Sequence, residues 1–506
     1  MGRFPHVYPY VFMKTLQGSR HRLSSERILR HSCCWSVGLP HKTTSSFQEI
    51  KRCFGSNPFK YGVDTLIIGG GPIGASTAYH LAKQRQDLAD GSANSSQPSI
   101  LVIEQDPSYK SCSAVYSAGG IRLQFSLREN VLMSLYGIDF LRKCDNLLAT
   151  APSQTNSMDK RHQALDIQYV EHGYLILAST ELGARQLQEN FANFQNIGCD
   201  DMIQLLKPDE LKSRFPWVNT EDVVLGSFGC SGEGWFDPWS FVRAMHAKNK
   251  DLGVGFLSGT VTGATRNPDD SGEIMSVQVR TQSNEMHNIA VKTVVNAAGA
   301  RAGQVLNFLA GGKESPLAHP LPVHPKKRCI YFFQCDSKHQ PEGTIVPSMA
   351  PLTIDSSGSY FRSEGTHSGT GRFLCGISPP SCEDLDCLDP RQLENADPIL
   401  FERDIWPAIA NRVPAFNSLK VISSWAGLYD VNIVDHNCIL DFHPELKNVL
   451  LVNGFSGHGL QHSPAAGRAA AELIDNNNQF TTLDLNIFRF DRLKEGGIPV
   501  LEMGIY

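Results

Sequence analysis

The stretch Val63-Asp64-Thr65-Leu66-Ile67-Ile68-Gly69-Gly70-Gly71-Pro72-Ile73-Gly74 decides how the chain is read. A short apolar run that can bury both faces as a parallel strand leads straight into Gly69-x-Gly71-x-x-Gly74. The helix-prone residues 75–82 follow. Gly69 makes the tight turn, Gly71 lets backbone approach a pyrophosphate, and Gly74 lets the helix pack on the strand. Ile73 lies inside the turn and counts with the glycines as cofactor-binding. The helix start offers unpaired N–H groups and a positive dipole end to the anion. After a polar insert over 87–98, a second strand, 100–104, ends in Glu104, whose carboxylate can accept hydrogen bonds from a ribose hydroxyl. Strand, glycine turn, helix and strand make a βαβ unit.

This unit alone does not separate NAD from FAD; two distant glycine motifs do. The strand-like run 291–296 ends in Asn296-Ala297-Ala298-Gly299, and the run 449–453 ends in Gly454-Phe455-Ser456-Gly457-His458-Gly459. The long FAD molecule needs backbone from both halves of a discontinuous domain, so Ala297, Gly299, Gly454, Gly457, His458 and Gly459 are read as cofactor-binding. A helix is predicted to begin at Ser463-Pro464, with Ser as N-cap and Pro at the first helical position. Residues 130–148 and 181–197 read as helices, and 174–178, 274–280 and 329–333 as strands.

Composition narrows the class. The chain has 506 residues, 41% hydrophobic and 19% charged, with a net charge of −5. That length gives a soft prior of two to three structural units with an ample core. No basic stripe lies beyond residue 50, which argues against nucleic acid as a partner. Thirteen cysteines without a C-x-x-C pair argue for a reducing compartment, and no metal site is expected. No apolar run is long enough to span a membrane. Residues 1–48 carry seven Lys/Arg against one acid, Glu26, with seven serines. That is the composition of a mitochondrial transit peptide, predicted over 1–55. Residues 381–398 hold six acids and read as a solvated loop.

The fingerprint, Asn296-Ala297-Ala298-Gly299-Ala300, Trp425-Ala426-Gly427-x-Tyr429-Asp430 and the 454–459 motif together resemble the D-amino-acid oxidase and sarcosine oxidase family over about residues 62–486. The resemblance implies an α/β fold: a doubly wound, discontinuous Rossmann-type FAD-binding domain with a smaller antiparallel β-sheet substrate or cap domain. The expected partition is 62–150, 220–320 and 415–486 for FAD binding, 160–219 and 321–414 for the cap, and 487–506 as a C-terminal tail. A mitochondrial branch of the family shares Pro325-Lys326-Lys327-Arg328-Cys329, the segment 359–365 and Gly459-Leu460-Gln461. Similarity to that branch implies a matrix-side protein peripherally associated with the inner membrane. Its partners would be complex I subunits or assembly intermediates.

Departures from the enzyme pattern bear on activity. The residues that tether flavin covalently in sarcosine oxidases and dimethylglycine dehydrogenases align with Gly427 and Ser117, so FAD is expected to be non-covalent, with Ser117 beside it. The family's carboxylate clamp aligns with Phe125 and Gln461, and the lysine that assists oxygen falls near Leu374. Arg122 keeps a family arginine near the flavin. Catalytic candidates are therefore Arg122, His458 and Arg328, with Arg328 and Arg362 open as either anion-holding or strand-edge residues. Two functions stand: a flavoprotein required for complex I assembly, and an FAD-dependent dehydrogenase oxidising a C–N bond of a small amine substrate, a secondary or tertiary amine acid.

Overall fold

The computed structural model describes residues 62–89, 99–150, 166–270, 272–312, 316–335, 345–365, 371–380 and 382–502. The predicted transit segment lies outside the described residues. Two sheets carry the architecture.

The first sheet grows from the Val63–Ile68 strand, where Leu66 and Ile67 are fully buried. It pairs in parallel with Ile100–Glu104 on one side and Met286–Asn296 on the other. Gly255–Arg266 and Val449–Asn453 extend the parallel order outward, and Ile439–Phe442 adds an antiparallel edge. Two strands do double duty. The far halves of Gly255–Arg266 and Met286–Asn296 leave the parallel layer and sandwich Ile274–Thr281 in an antiparallel meander. Apolar side chains cover both faces, Leu66, Leu101 and Val294 on one, Ile67, Val102 and Val295 on the other. Burying each such side chain stabilises the fold by about 1.5–3 kcal/mol. The parallel strands end together, so Gly69, Glu104, Ala297 and Gly454 gather at one edge, where open α/β sheets take ligands.

The helices over this sheet are Pro72–Ala89, Arg128–Arg142, Pro238–Asp251 and Gly459–Asp475. Glu181–Ile197 forms as read: the Thr180 hydroxyl accepts from Gly183 N, and Gly198 ends the helix at φ 85°. The last sheet-covering helix begins at Gly459, not at Ser463-Pro464. Pro464 cannot donate to the Leu460 carbonyl, but the Ser463 hydroxyl does so at 2.8 Å. The helix therefore runs through the proline instead of starting at it.

The second sheet has eight strands, ordered Leu419–Asn432, Val323–Cys335, Arg372–Ile377, Ser359–Ser363, Leu352–Ile354, Tyr174–Ala178, Leu225–Gly229 and Ile203–Leu206. It is antiparallel except where Leu352–Ile354 runs parallel to Tyr174–Ala178. Its core is aromatic: Phe416 meets Phe333, Phe361 and Phe373 at centroid distances of 5.0–5.1 Å. The expected partition needs two corrections. Leu225–Gly229 and Leu419–Asn432, both assigned to the FAD-binding segments, are strands of this second sheet. Each completes ladder hydrogen bonds that its neighbours would otherwise bury unmade.

The segment read as a solvated acidic loop also differs. Asp386 pairs with Lys326 and His324, each at 2.8 Å, and Cys387 N donates to Pro325 O. Lys326 Nζ donates to Asp384 O, and Lys327 Nζ to Asn395 O. Residues 382–397 thus form a strap bound along the basic run 325–328. Among the described residues no helix is long and apolar enough to cross a membrane.

Candidate functional site

A cavity of about 1040 Å³ follows the gathered strand ends. Gly69, Gly71, Ile73, Glu104, Ser117, Ala297, Gly299, Gly457 and Gly459 all face it. Gly74 and Gly454 stand behind it. A Cβ on Gly74 would meet Gly69 O at 1.9 Å, so its task is helix–strand packing. Gly69 itself adopts φ 103° against the Ala297 carbonyl. A Cβ on Gly71 would instead find only Cys112 Sγ at 3.8 Å, because that position opens into the crevice. The turn is held from below. Gly70 N donates to Glu104 Oε2 and Asp106 N to Glu104 Oε1, each at 2.8 Å. The Gly70 carbonyl meets His246 Nε2 at 2.8 Å, and the Tyr109 hydroxyl reaches the same nitrogen. Burial pushes the Glu104 carboxyl above its ordinary value and His246 down to about 4. Tyr109 and His246 escaped the sequence reading; their contact spans 137 residues and leaves no local signal.

The 454–459 turn is stapled by Asp430, whose Oδ2 accepts from Gly454 N and Phe455 N at 3.0 and 3.2 Å. Burial raises that carboxyl to about 6. Gly457 takes φ 98°, with the Tyr429 ring where a side chain would stand. Ser117 Oγ donates to Ala114 O at 2.7 Å. Gly427 faces neither cavity; a Cβ there would meet Tyr116.

A second cavity of about 260 Å³ adjoins the crevice, sharing Ser117, Tyr429, Gly457 and Leu460 with it. Arg122, Arg328 and His458 line it, so the three catalytic candidates do converge. Each is already engaged. Arg122 Nη1 donates to Gln124 O at 3.0 Å, and Nη2 to His458 Nε2 at 3.3 Å. A guanidinium only donates, so that imidazole nitrogen must accept. Burial and the Arg122 charge hold His458 well below its usual pKa, and its ring bonds the Phe455 backbone as well. With its lone pair taken, His458 is a poor proton acceptor. Arg328 spans Asp384 with two bonds, 2.7 and 2.8 Å, and lies 5.0 Å from the Tyr429 ring. Arg362 is spent on Ala118 O and Glu364 and does not line the cavity.

The aligned clamp positions behave differently from each other. Phe125 is fully buried beneath His458, with ring centroids 4.9 Å apart, and does not line the cavity. Gln461 does line it, but its Oε1 accepts from Arg122 N at 2.9 Å. Leu374 packs with Ile330 and Phe332. Tyr174, Tyr360 and Tyr429 also line the cavity, and burial raises all three phenols. Of these, Tyr174 and Tyr360 went unread, as did Asp384. The acidic run facing Lys326-Lys327-Arg328 was the available signal for the last.

A glycine-lined crevice at the ends of parallel strands, a half-buried carboxylate, Glu104, at the end of the second strand and an adjoining pocket define an FAD-dependent oxidoreductase fold. The residues fit that cofactor: the Gly71 position is open where backbone must approach phosphate, and the crevice has the volume a dinucleotide needs. The chain belongs to the DAO family of FAD dependent oxidoreductases, whose model matches residues 64–473. It is 40% identical over 456 residues to FAD-dependent oxidoreductase domain-containing protein 1 of Xenopus laevis, covering 87% of this chain and 84% of that one. The Bos taurus protein of the same name is 39% identical over 447 residues, covering 86% and 85%. Among solved structures, the fold is similar to an L-proline dehydrogenase from P. horikoshii, with TM-score 0.67 and 24% identity over 86% of this chain and 99% of that one.

Proposed function

We propose that the chain is a mitochondrial FAD flavoprotein that serves the assembly of respiratory complex I, with a pocket unsuited to small amine acids. One observation carries the second half. Both guanidinium groups of the pocket are engaged from within, Arg122 by Gln124 O and His458, and Arg328 by the two oxygens of Asp384. A carboxylate moved from water into such a pocket loses hydration without gaining a free guanidinium fork. The serine-rich basic lead supports import into mitochondria. The shared run 325–329, here the bed of the strap, supports the assembly role through the branch that carries it. FAD when bound supplies reversible hydride-accepting chemistry. The chain's own residues position and insulate it: Glu104 anchors the Gly70 turn, Asp430 the Gly454 turn, and Arg122 fixes His458 as a neutral acceptor. The second reading, a C–N dehydrogenase, is favoured by the 260 Å³ cavity opening onto the crevice.

Purified holoprotein offered sarcosine, dimethylglycine or D-alanine with an artificial electron acceptor should show negligible turnover. Robust oxidation would promote the dehydrogenase. Cells lacking the chain should recover complex I with wild type but not with Gly71→Val. Recovery with that variant would show the flavin to be dispensable. A reporter fused to residues 1–55 should enter mitochondria; a diffuse cytosolic signal would remove the localisation.

A further inference from the structure

Arg328 and Asp384 sit together on the wall of the smaller cavity, with side chains only 12% and 14% exposed. Both Asp384 oxygens face the guanidinium in a fork, the arrangement by which arginine takes up a ligand carboxylate. Asp384 does not float into this position. Its carbonyl is held by Lys326 Nζ, and two residues on, Asp386 bridges Lys326 and His324. The guanidinium is fixed too, by Lys327 O and the face of Tyr429. Its Nε is buried without a partner, one donor that the carboxylate leaves unserved.

We propose that Asp384 is the specificity-determining residue of the pocket, an internal carboxylate seated on Arg328 that excludes anionic substrates and reserves the cavity for uncharged ones. The inference rests on the functional reading above and deepens it. The pocket does not lack cations for an incoming acid: Arg122 is spent on Gln124 O and His458, and Arg328, the one that presents a fork, is already filled by the strap. A second carboxylate would have to displace the first or sit beside it unpaired, and either is unfavourable where the two side chains are so little exposed. Tyr174, Tyr360 and Tyr429 add neutral phenols to the walls, and Leu352, Ile354 and Val431 add apolar surface, a lining suited to an uncharged group.

The test is ligand binding to FAD-loaded full-length protein, read by flavin difference absorbance and calorimetry, with benzoate and its uncharged analogue benzamide. Wild type should bind benzoate no more tightly than benzamide. Asp384→Asn leaves Arg328 uncompensated and should tighten benzoate at least tenfold while leaving benzamide within twofold. Arg328→Gln combined with Asp384→Asn should abolish that gain. Should Asp384→Asn lose its flavin, Asp384→Ser and the wild-type ratio carry the same test. Three results would overturn the proposal: tighter benzoate than benzamide in wild type, no benzoate gain on neutralising Asp384, or a gain that survives loss of Arg328. Turnover of sarcosine by wild type would instead refute the functional reading itself, so the two failures are separable.

Discussion

Replacing Glu233 by Gln should remove a pH-dependent part of the stability and so invert the ranking of the two proteins between pH 5 and pH 8. Glu233 is fully buried. Its Oε1 accepts from the backbone N–H of Leu123 and, at 3.2 Å, of Gln124, while Oε2 accepts from Gln124 Nε2 at 2.8 Å. It thereby fixes the segment that carries Arg122. Burial outweighs these bonds and lifts the carboxyl from 4.5 to about 7. The sign follows from linkage. Between those two values the native state holds a proton that the unfolded chain has released, so stability is fully present below 4.5 and is lost as pH rises through 7. At about 1.4 kcal/mol per pH unit, roughly 2–3 kcal/mol disappears between pH 5 and pH 8. Glutamine has the same shape and no charge to bury. Its amide must face Gln124, whose Oε1 is buried without a partner, so Gln124 turns over and exchanges its 3.3 Å bond to Tyr174 O for a new one. That rearrangement costs about 1 kcal/mol at every pH. Glu233→Gln holoprotein should therefore be slightly less stable than wild type at pH 5 and more stable by about 1–2 kcal/mol at pH 8. Urea unfolding of both proteins at the two pH values, followed by tryptophan and flavin fluorescence, measures this. A difference that does not change with pH would refute the reasoning.

Other outcomes follow from the crevice. Gly71→Val should abolish the yellow holoprotein, because the added branch enters the space left for the pyrophosphate. Gly457→Ala should release flavin and disturb the Tyr429 wall, since its Cβ would lie 2.3 Å from a Tyr429 ring carbon at φ 98°; equilibrium dialysis reads the loss. Glu104→Ala removes an acceptor shared by the Gly70 turn and the ribose end and should weaken FAD binding by about 1.5–3 kcal/mol. Acid precipitation should leave flavin in the supernatant, because Ser117 is no tethering nucleophile and Gly427 is turned toward Tyr116; flavin in the pellet would contradict this.

The sequence makes legible what is local. Gly69 to Gly74, Glu104 and the 454–459 motif each combine a turn with the strand that feeds it, so residue type and neighbours suffice. The start of the Gly459–Asp475 helix was misread because Ser463-Pro464 has the local form of an N-terminus. Only the Ser463 hydroxyl reaching back to Leu460 O shows how the helix continues through it. The strand Leu419–Asn432 follows the same logic: its WAG-x-YD motif marks it as cofactor-proximal, yet its partner is Val323–Cys335 in the other sheet. A residue can belong to one layer by its hydrogen bonds and serve the site of another.

The pocket was least legible because its chemistry depends on which charges cancel. Arg122, Arg328 and His458 each invite a catalytic reading when taken singly, and Asp384 reads as part of a solvated loop. Arg328 and Asp384 lie 56 residues apart, and Arg122 and His458 lie 336 apart. No pattern along the chain says that the first pair neutralises itself or that the second leaves the imidazole without its lone pair. Desolvation makes the pairing decisive, since a buried guanidinium lacking its acceptor would cost several kcal/mol and would draw in any anion that fits. The positions aligned with the family's clamp hold Phe125 and Gln461, and of the arginines that do line the pocket, Arg328 already carries a carboxylate. An arginine lining such a pocket is therefore not by itself an anion site, because a single carboxylate on a strap is enough to occupy it.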